Sequence, residues 1–148
     1  EEVNKKVLSA IGASLRVVLC VGERERDPEG MYLGFLKQEI LSALEGVSRQ
    51  KLSKIIIAYE PIWAIGKGAG GAMGAHDIYE TVLYIRKVLK EKYGEKAAFA
   101  LPILYGGSVA PENAEKLIRE GEVQGLLVGH KSLDPKAFNE IMQIMDVE

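Results

Sequence analysis

The stretch Ile55-Ile56-Ile57-Ala58-Tyr59-Glu60-Pro61-Ile62-Trp63-Ala64-Ile65-Gly66 decides the fold. Its apolar opening, Ile55 to Ala58, reads as a buried parallel strand. The strand delivers one carboxylate, Glu60, at its end. Pro61 then stops it, and a glycine-rich loop follows. A carboxylate at the carboxyl end of a parallel strand, beneath a loop able to close, is where barrel enzymes keep a general base. On a solvent-facing helix the same residue would read as a cap or a salt-bridge partner. Its place at a strand end favours catalysis.

Working outward, three more apolar runs follow the same plan: Arg16 to Val21, Leu101 to Tyr105 and Gly125 to Gly129. Segments of helical period lie between the runs. Val3, Val7 and Ile11 share a face that ends near Gly12. Leu33, Leu36, Ile40 and Leu44 share another, ending at Gly46. Ile78, Val82, Ile85 and Leu89 form a third, closed by Gly94. Pro111 opens a helix that turns Ala114, Leu117 and Ile118 inward and stops at Gly121. Asp134-Pro135 is an N-cap followed by proline, with Phe138, Ile141, Met142 and Met145 inward. The reading is α/β: one helix, then four strand–helix units, with a parallel sheet and right-handed crossovers. Such a (βα)4 array is half of an eight-unit barrel. No linker or convincing repeat divides residues 1–148, which are expected to form a single domain.

Composition narrows the function. The 148 residues are 47% hydrophobic and 27% charged, enough for a sizeable core. A net charge of -2 gives no bias toward nucleic acid or membrane. The one cysteine, Cys20, lies in an apolar run and is expected to be buried. It allows no internal disulfide, which fits a reducing cytosol. Two distant histidines and that cysteine make no metal ligand set. His76 lies near a helix start, where it is solvated or a cap.

Three loops carry candidate chemistry. Ala64 to Gly71 puts Trp63 just ahead of a run of glycines, and a large apolar side chain on a flexible loop suggests a lid that docks and undocks. Tyr105-Gly106-Gly107-Ser108 closes the third strand, with Pro111 starting a helix beyond it. Gly129-His130-Lys131-Ser132 closes the fourth in the same manner. Each is readable as a plain turn; two in succession after the last strands match a barrel phosphate site. Glu23 faces the same rim as Glu60, within a charged stretch read as a solvated loop.

Tyr59 to Gly66 resembles the signature of triosephosphate isomerases. Cys20-Val21-Gly22-Glu23 resembles the end of that family's fifth strand, Leu104 to Ser108 its seventh and Gly125 to Gly129 its eighth. The resemblance implies the C-terminal half of a TIM barrel, and a cofactor-free proton transfer between dihydroxyacetone phosphate and glyceraldehyde 3-phosphate through an enediolate. It implies that Glu60 moves the proton. Gly66, Gly68, Ser108, Gly129 and His130 would hold the phosphate through backbone N–H groups. Trp63 would travel with the lid, which includes Lys67, and Glu23, Tyr59, Tyr105 and Ser108 would hydrogen-bond it in its open or closed position.

Departures set further expectations. His130 stands where the family has glycine, which costs little unless the backbone needs a positive φ. Lys67 stands where the family usually has threonine. Ala69-Gly70-Gly71 replaces a lysine-threonine-alanine type of sequence, and its extra freedom predicts a less populated closed lid. The family's catalytic lysine and electrophilic histidine lie in the half that this chain does not match. Lys67, His130 or Lys131 would replace them only weakly, so activity is expected to be weak or absent. A half barrel also leaves strand edges and an apolar face uncovered, which predicts homo-oligomers built on a dimer, or docking to a separately made N-terminal half. The competing reading is a non-catalytic self-assembling or phosphate-binding module.

Overall fold

A computed structural model describes residues 1–67 and 72–146. Gly68, named above for the phosphate, and the Ala69-Gly70-Gly71 stretch lie outside the described residues. Helix α1 (Glu2–Gly12) leads into β1 (Val17–Val21), α2 (Met31–Ala43), β2 (Ile55–Tyr59), α3 (Ala75–Tyr93), α4 (Glu95–Ala100), β3 (Ile103–Tyr105), α5 (Pro111–Gly121) and α6 (Pro135–Met145). The strands form a parallel sheet in the order β1-β2-β3, with Val21 opposite Tyr59 and Tyr59 opposite Tyr105. This is the partial, unclosed α/β barrel that the alternation of elements predicts. The fourth apolar run departs from expectation. It contributes one parallel bridge, Leu126 to Tyr105, and its backbone reaches β3 through Gln124 N to Ile103 O and Leu127 N to Tyr105 O at 2.8 Å each. With no strand beyond it among the described residues, it is aligned but not a full strand.

The sheet's two faces differ. Leu19, Val21, Ile55, Ile57, Tyr59, Ile103 and Tyr105 point to the helix side and are buried. There they meet Leu36, Ile40, Ile78, Ile85 and Leu89, all nearly inaccessible. Each large aliphatic side chain so buried contributes about 1.5–3 kcal/mol. The alternate residues face the other way: Val18 is 47% exposed, Cys20 is exposed, and Ile56 and Leu104 are half-buried. Cys20 is therefore not the buried residue its apolar neighbours suggest. Period-2 alternation puts it on the sheet face that the chain's helices do not cover.

Other differences have equally local causes. Helix α6 starts as predicted, with Asp134 accepting from Lys136 N and Ala137 N, but it buries only Ala137 and Ile141. Phe138, Met142 and Met145 are exposed, because α6 packs on the body chiefly through α5 and the turn just before it. Val3 is likewise half-exposed at the open end of α1. Gly121 is the last residue of α5 rather than its stop; the left-handed cap is Glu122, with φ +50°. Helix α4 was not anticipated. It is fixed by the buried Arg86, which donates to the carbonyls of Ala98 and Leu101 and, at 2.7 Å, to Gln124 Oε1. The same Gln124 oxygen accepts from Ile103 N at 2.9 Å, so one buried cation ties α3, α4, β3 and the fourth run together. Among the described residues no helix is long and apolar enough to cross a membrane.

Candidate active site

Glu60 sits at the end of β2, and the sheet builds its seat. Glu60 N donates to Val21 O and Gly106 N donates to Tyr59 O, both at 2.8 Å, so the strand register runs on past the strands' ends. That register brings Gly22, Glu60 and Gly106 abreast on the inner face. A Cβ on Gly22 would lie 1.9 Å from Glu60 O, and one on Gly106 would lie 2.5 Å from Glu60 Cγ. The carboxylate residue is thus clasped, its peptide against one glycine and its side chain against the other. Cys20 is the next inner-face residue below. Its thiol pKa is raised, first by burial and then by the charge of Glu60 and a hydrogen bond to it. Sequence reading missed this seat, although inner-face positions 20, 22, 60 and 106 follow from alternation once the register is known.

The start of the loop after β2 is held in place by side chains from two other strand ends. Trp63 Nε1 donates to Glu23 Oε1 at 2.9 Å, and Tyr59 Oη lies 2.9 and 3.0 Å from the two Glu23 oxygens. Glu23 is 1% exposed, a buried acceptor and not part of a solvated loop. Burial, and then Glu23, push the Tyr59 phenol far above its usual range, so it stays a donor. Ser108 Oγ donates to Ala64 O at 2.7 Å and accepts from Lys67 N at 3.1 Å. Gly66 takes φ +74°, a conformation that favours glycine. The Lys67 side chain is exposed and joins no polar group of the site among the described residues. Tyr105 is fully buried, and its hydroxyl has no hydrogen-bond partner among the described residues. Burial pushes its pKa up to about 12.

Beside this seat lies a cleft of about 280 Å³, lined by Ile65, Gly66, Gly106 to Ala110, and Gly129 to Lys131. It gathers Gly66, Ser108, Gly129 and His130 along one lining. The N–H groups of Gly107, Ser108, Val109 and Gly129 have no hydrogen-bond acceptor among the described residues. Gly107 is required for another reason as well: a Cβ there would lie 2.2 Å from Tyr105 Oη. His130 begins the 3₁₀ turn His130–Leu133, and its φ is not positive, so the residue in place of the family's glycine imposes no backbone strain. Gly106 belongs to both features. It carries the Glu60 side chain on one side and lines the cleft on the other.

The triosephosphate isomerase family model matches residues 1–145. Among curated relatives, the triosephosphate isomerase of Alkaliphilus metalliredigens is 40% identical over 139 residues, covering 93% of this chain and 55% of that protein. That of Caldanaerobacter subterraneus subsp. tengcongensis is 40% identical over 143 residues, covering 96% and 57%. That of Thermoanaerobacter pseudethanolicus is 41% identical over 143 residues, with the same coverage. The chain spans about half the length of the curated relatives it matches. A match across nearly all of this sequence, on a sheet that sets a clasped carboxylate beside a glycine-lined cleft, settles the kinship: the chain belongs to the triosephosphate isomerase family.

Proposed function

We propose that this chain supplies the proton-transferring carboxylate and the phosphate cradle for interconversion of dihydroxyacetone phosphate and glyceraldehyde 3-phosphate. The observation that carries the reading is the clasp of Glu60 against Gly106, whose other side lines the N–H-rich cleft. A phosphate held by Gly66, Ser108, Gly129 and His130 would set the substrate's carbon next to the Glu60 carboxylate. Glu60 would take the proton from one carbon and return it to its neighbour, through an enediolate. The cradle needs no cofactor: backbone N–H groups aimed at a fixed anion cost no reorganisation when charge develops nearby. The orphan hydroxyl of Tyr105 would receive or give a hydrogen bond when the lid closes, exchanging the Trp63–Glu23 bond of the present arrangement for a closed set. The family's lysine and electrophilic histidine lie outside the matched half, so this chain alone would isomerise weakly or not at all.

The exposed inner face, with Val18 and Cys20 bare and β1 at the sheet edge, favours a second element of the reading: a copy of this chain, or a separate N-terminal half, covers it. A coupled isomerase assay with Glu60→Asp and Glu60→Gln as controls tests catalysis. Thermal shift with 2-phosphoglycolate tests the cradle, since ligand at 100 times its Kd adds about 2.7 kcal/mol of stability. No shift at millimolar ligand overturns the cradle and leaves a purely structural half barrel. A stable monomer by light scattering at micromolar concentration overturns self-assembly.

A further inference from the structure

Glu39 is a carboxylate on α2 that the proposed reaction does not use. It reaches across to the end of β1, where its Oε2 accepts the Gly22 N–H at 2.9 Å. It stands 17 residues from its partner, so the bond is tertiary and does not belong to a local turn. Gly22 is the residue whose backbone presses on the Glu60 peptide, leaving no room for a Cβ. On its other side Val21 O receives Glu60 N. The peptide that seats Glu60 is therefore itself held from behind by one side chain.

We propose that Glu39 is the positioning residue for Glu60: by accepting the Gly22 N–H it fixes the strand end against which Glu60 is clasped. A charged acceptor holds an N–H more tightly than a neutral one, and it does so here without touching the substrate cleft. Burial raises the Glu39 carboxyl pKa, the Gly22 N–H pulls it back, and Glu23 is the neighbouring charge that adds to the rise. The assignment rests on reading Glu60 as the base, but its test does not, because Cys20 reports where the Glu60 carboxylate is.

The experiment follows the alkylation rate of Cys20, the sole cysteine, with iodoacetamide across pH. Glu60→Gln removes the charge that raises the Cys20 pKa and marks the full downward shift of the profile. Glu39→Ala is expected to recover much of that shift and to speed alkylation several-fold at pH 8, since below the inflection each unit of lowering raises thiolate roughly tenfold. Glu39→Gln keeps an acceptor oxygen and is expected to leave the profile in place. Glu39→Asp is a milder second variant, one methylene too short, and is expected to behave as the alanine does where alanine fails to fold. A wild-type profile in Glu39→Asp and in every folded Glu39→Ala sample overturns the proposal. So does a shift in Glu39→Gln as large as in those variants, because charge alone would then be responsible. Where the isomerase assay detects turnover, Glu39→Ala and Glu39→Asp are expected to lower kcat with KM unchanged. Activity unaltered by Glu60→Gln, or no thermal shift with 2-phosphoglycolate, would overturn the proposed function, while the Cys20 profile still decides the role of Glu39.

Discussion

Replacing Glu23 by glutamine isolates the bond that docks Trp63. Glu23 is 1% exposed and serves two donors, the Tyr59 hydroxyl and the Trp63 indole. Glutamine keeps one acceptor oxygen and turns an NH₂ toward the other donor. Tyr59 is fully buried and cannot leave, so it keeps the oxygen; Trp63 is half-buried and can swing out. A hydrogen bond to a charged acceptor contributes about 1.5–3 kcal/mol, so its loss shifts the docked-to-undocked ratio by about 10- to 150-fold. Trp63 is the only tryptophan, and its fluorescence reports this equilibrium without a label. Glu23→Gln is expected to red-shift the emission and increase acrylamide quenching. Tyr59→Phe leaves both Glu23 oxygens to Trp63 and is expected to change neither. Unchanged emission and quenching in a folded Glu23→Gln protein would refute the argument that this one bond holds the start of the loop.

Two further outcomes follow from the same geometry. Gly22→Ala forces a backbone shift against the Glu60 peptide and is expected to cost about 3 kcal/mol in urea unfolding, whereas Gly106→Ala meets mainly the Glu60 side chain and is expected to cost about 1 kcal/mol while displacing it; the reverse order would contradict the clasp. Buried Tyr59 and Tyr105 both have raised pKa values, Tyr105 to about 12, so the folded state holds its protons more tightly than the unfolded state. That stability is fully present below pH 10 and is lost as pH rises from 10 to 12, amounting to about 3 kcal/mol for Tyr105 alone. A melting temperature that stays level to pH 12 would show that these phenols titrate normally.

The sequence announced the helix starts, the four apolar runs and Glu60 because proline, glycine and period are local signals. It also located the two loops that line the cleft, since each follows a run directly. What escaped it was tertiary. Glu23 reads as part of a charged surface loop until the fold brings Tyr59 and Trp63 over it. Arg86 carries no sequence signal of its burial, which comes only when α4 and Gln124 close around it. Gly106 reads as a turn residue and Gly22 as the end of a strand, and their task of making room for Glu60 requires the register of three strands. Phe138, Met142 and Met145 carry a core-like period, but period says which residues share a face and not whether anything packs against it. Cys20 was misjudged for the same reason, since its neighbours in sequence point to the opposite side of the sheet.

The one-sidedness of the sheet has a consequence for how such a molecule would behave when diluted. The residues gathered around Glu60 — Gly22, Gly106, Cys20 and, behind Gly22, Glu39 — all come from this chain, and the helix-side core next to them is buried. If a partner covers the bare face, that covering depends on concentration, whereas the contacts around Glu60 do not draw on it. Dilution of any such assembly is then expected to uncover the bare face while leaving the carboxylate parked in its slot.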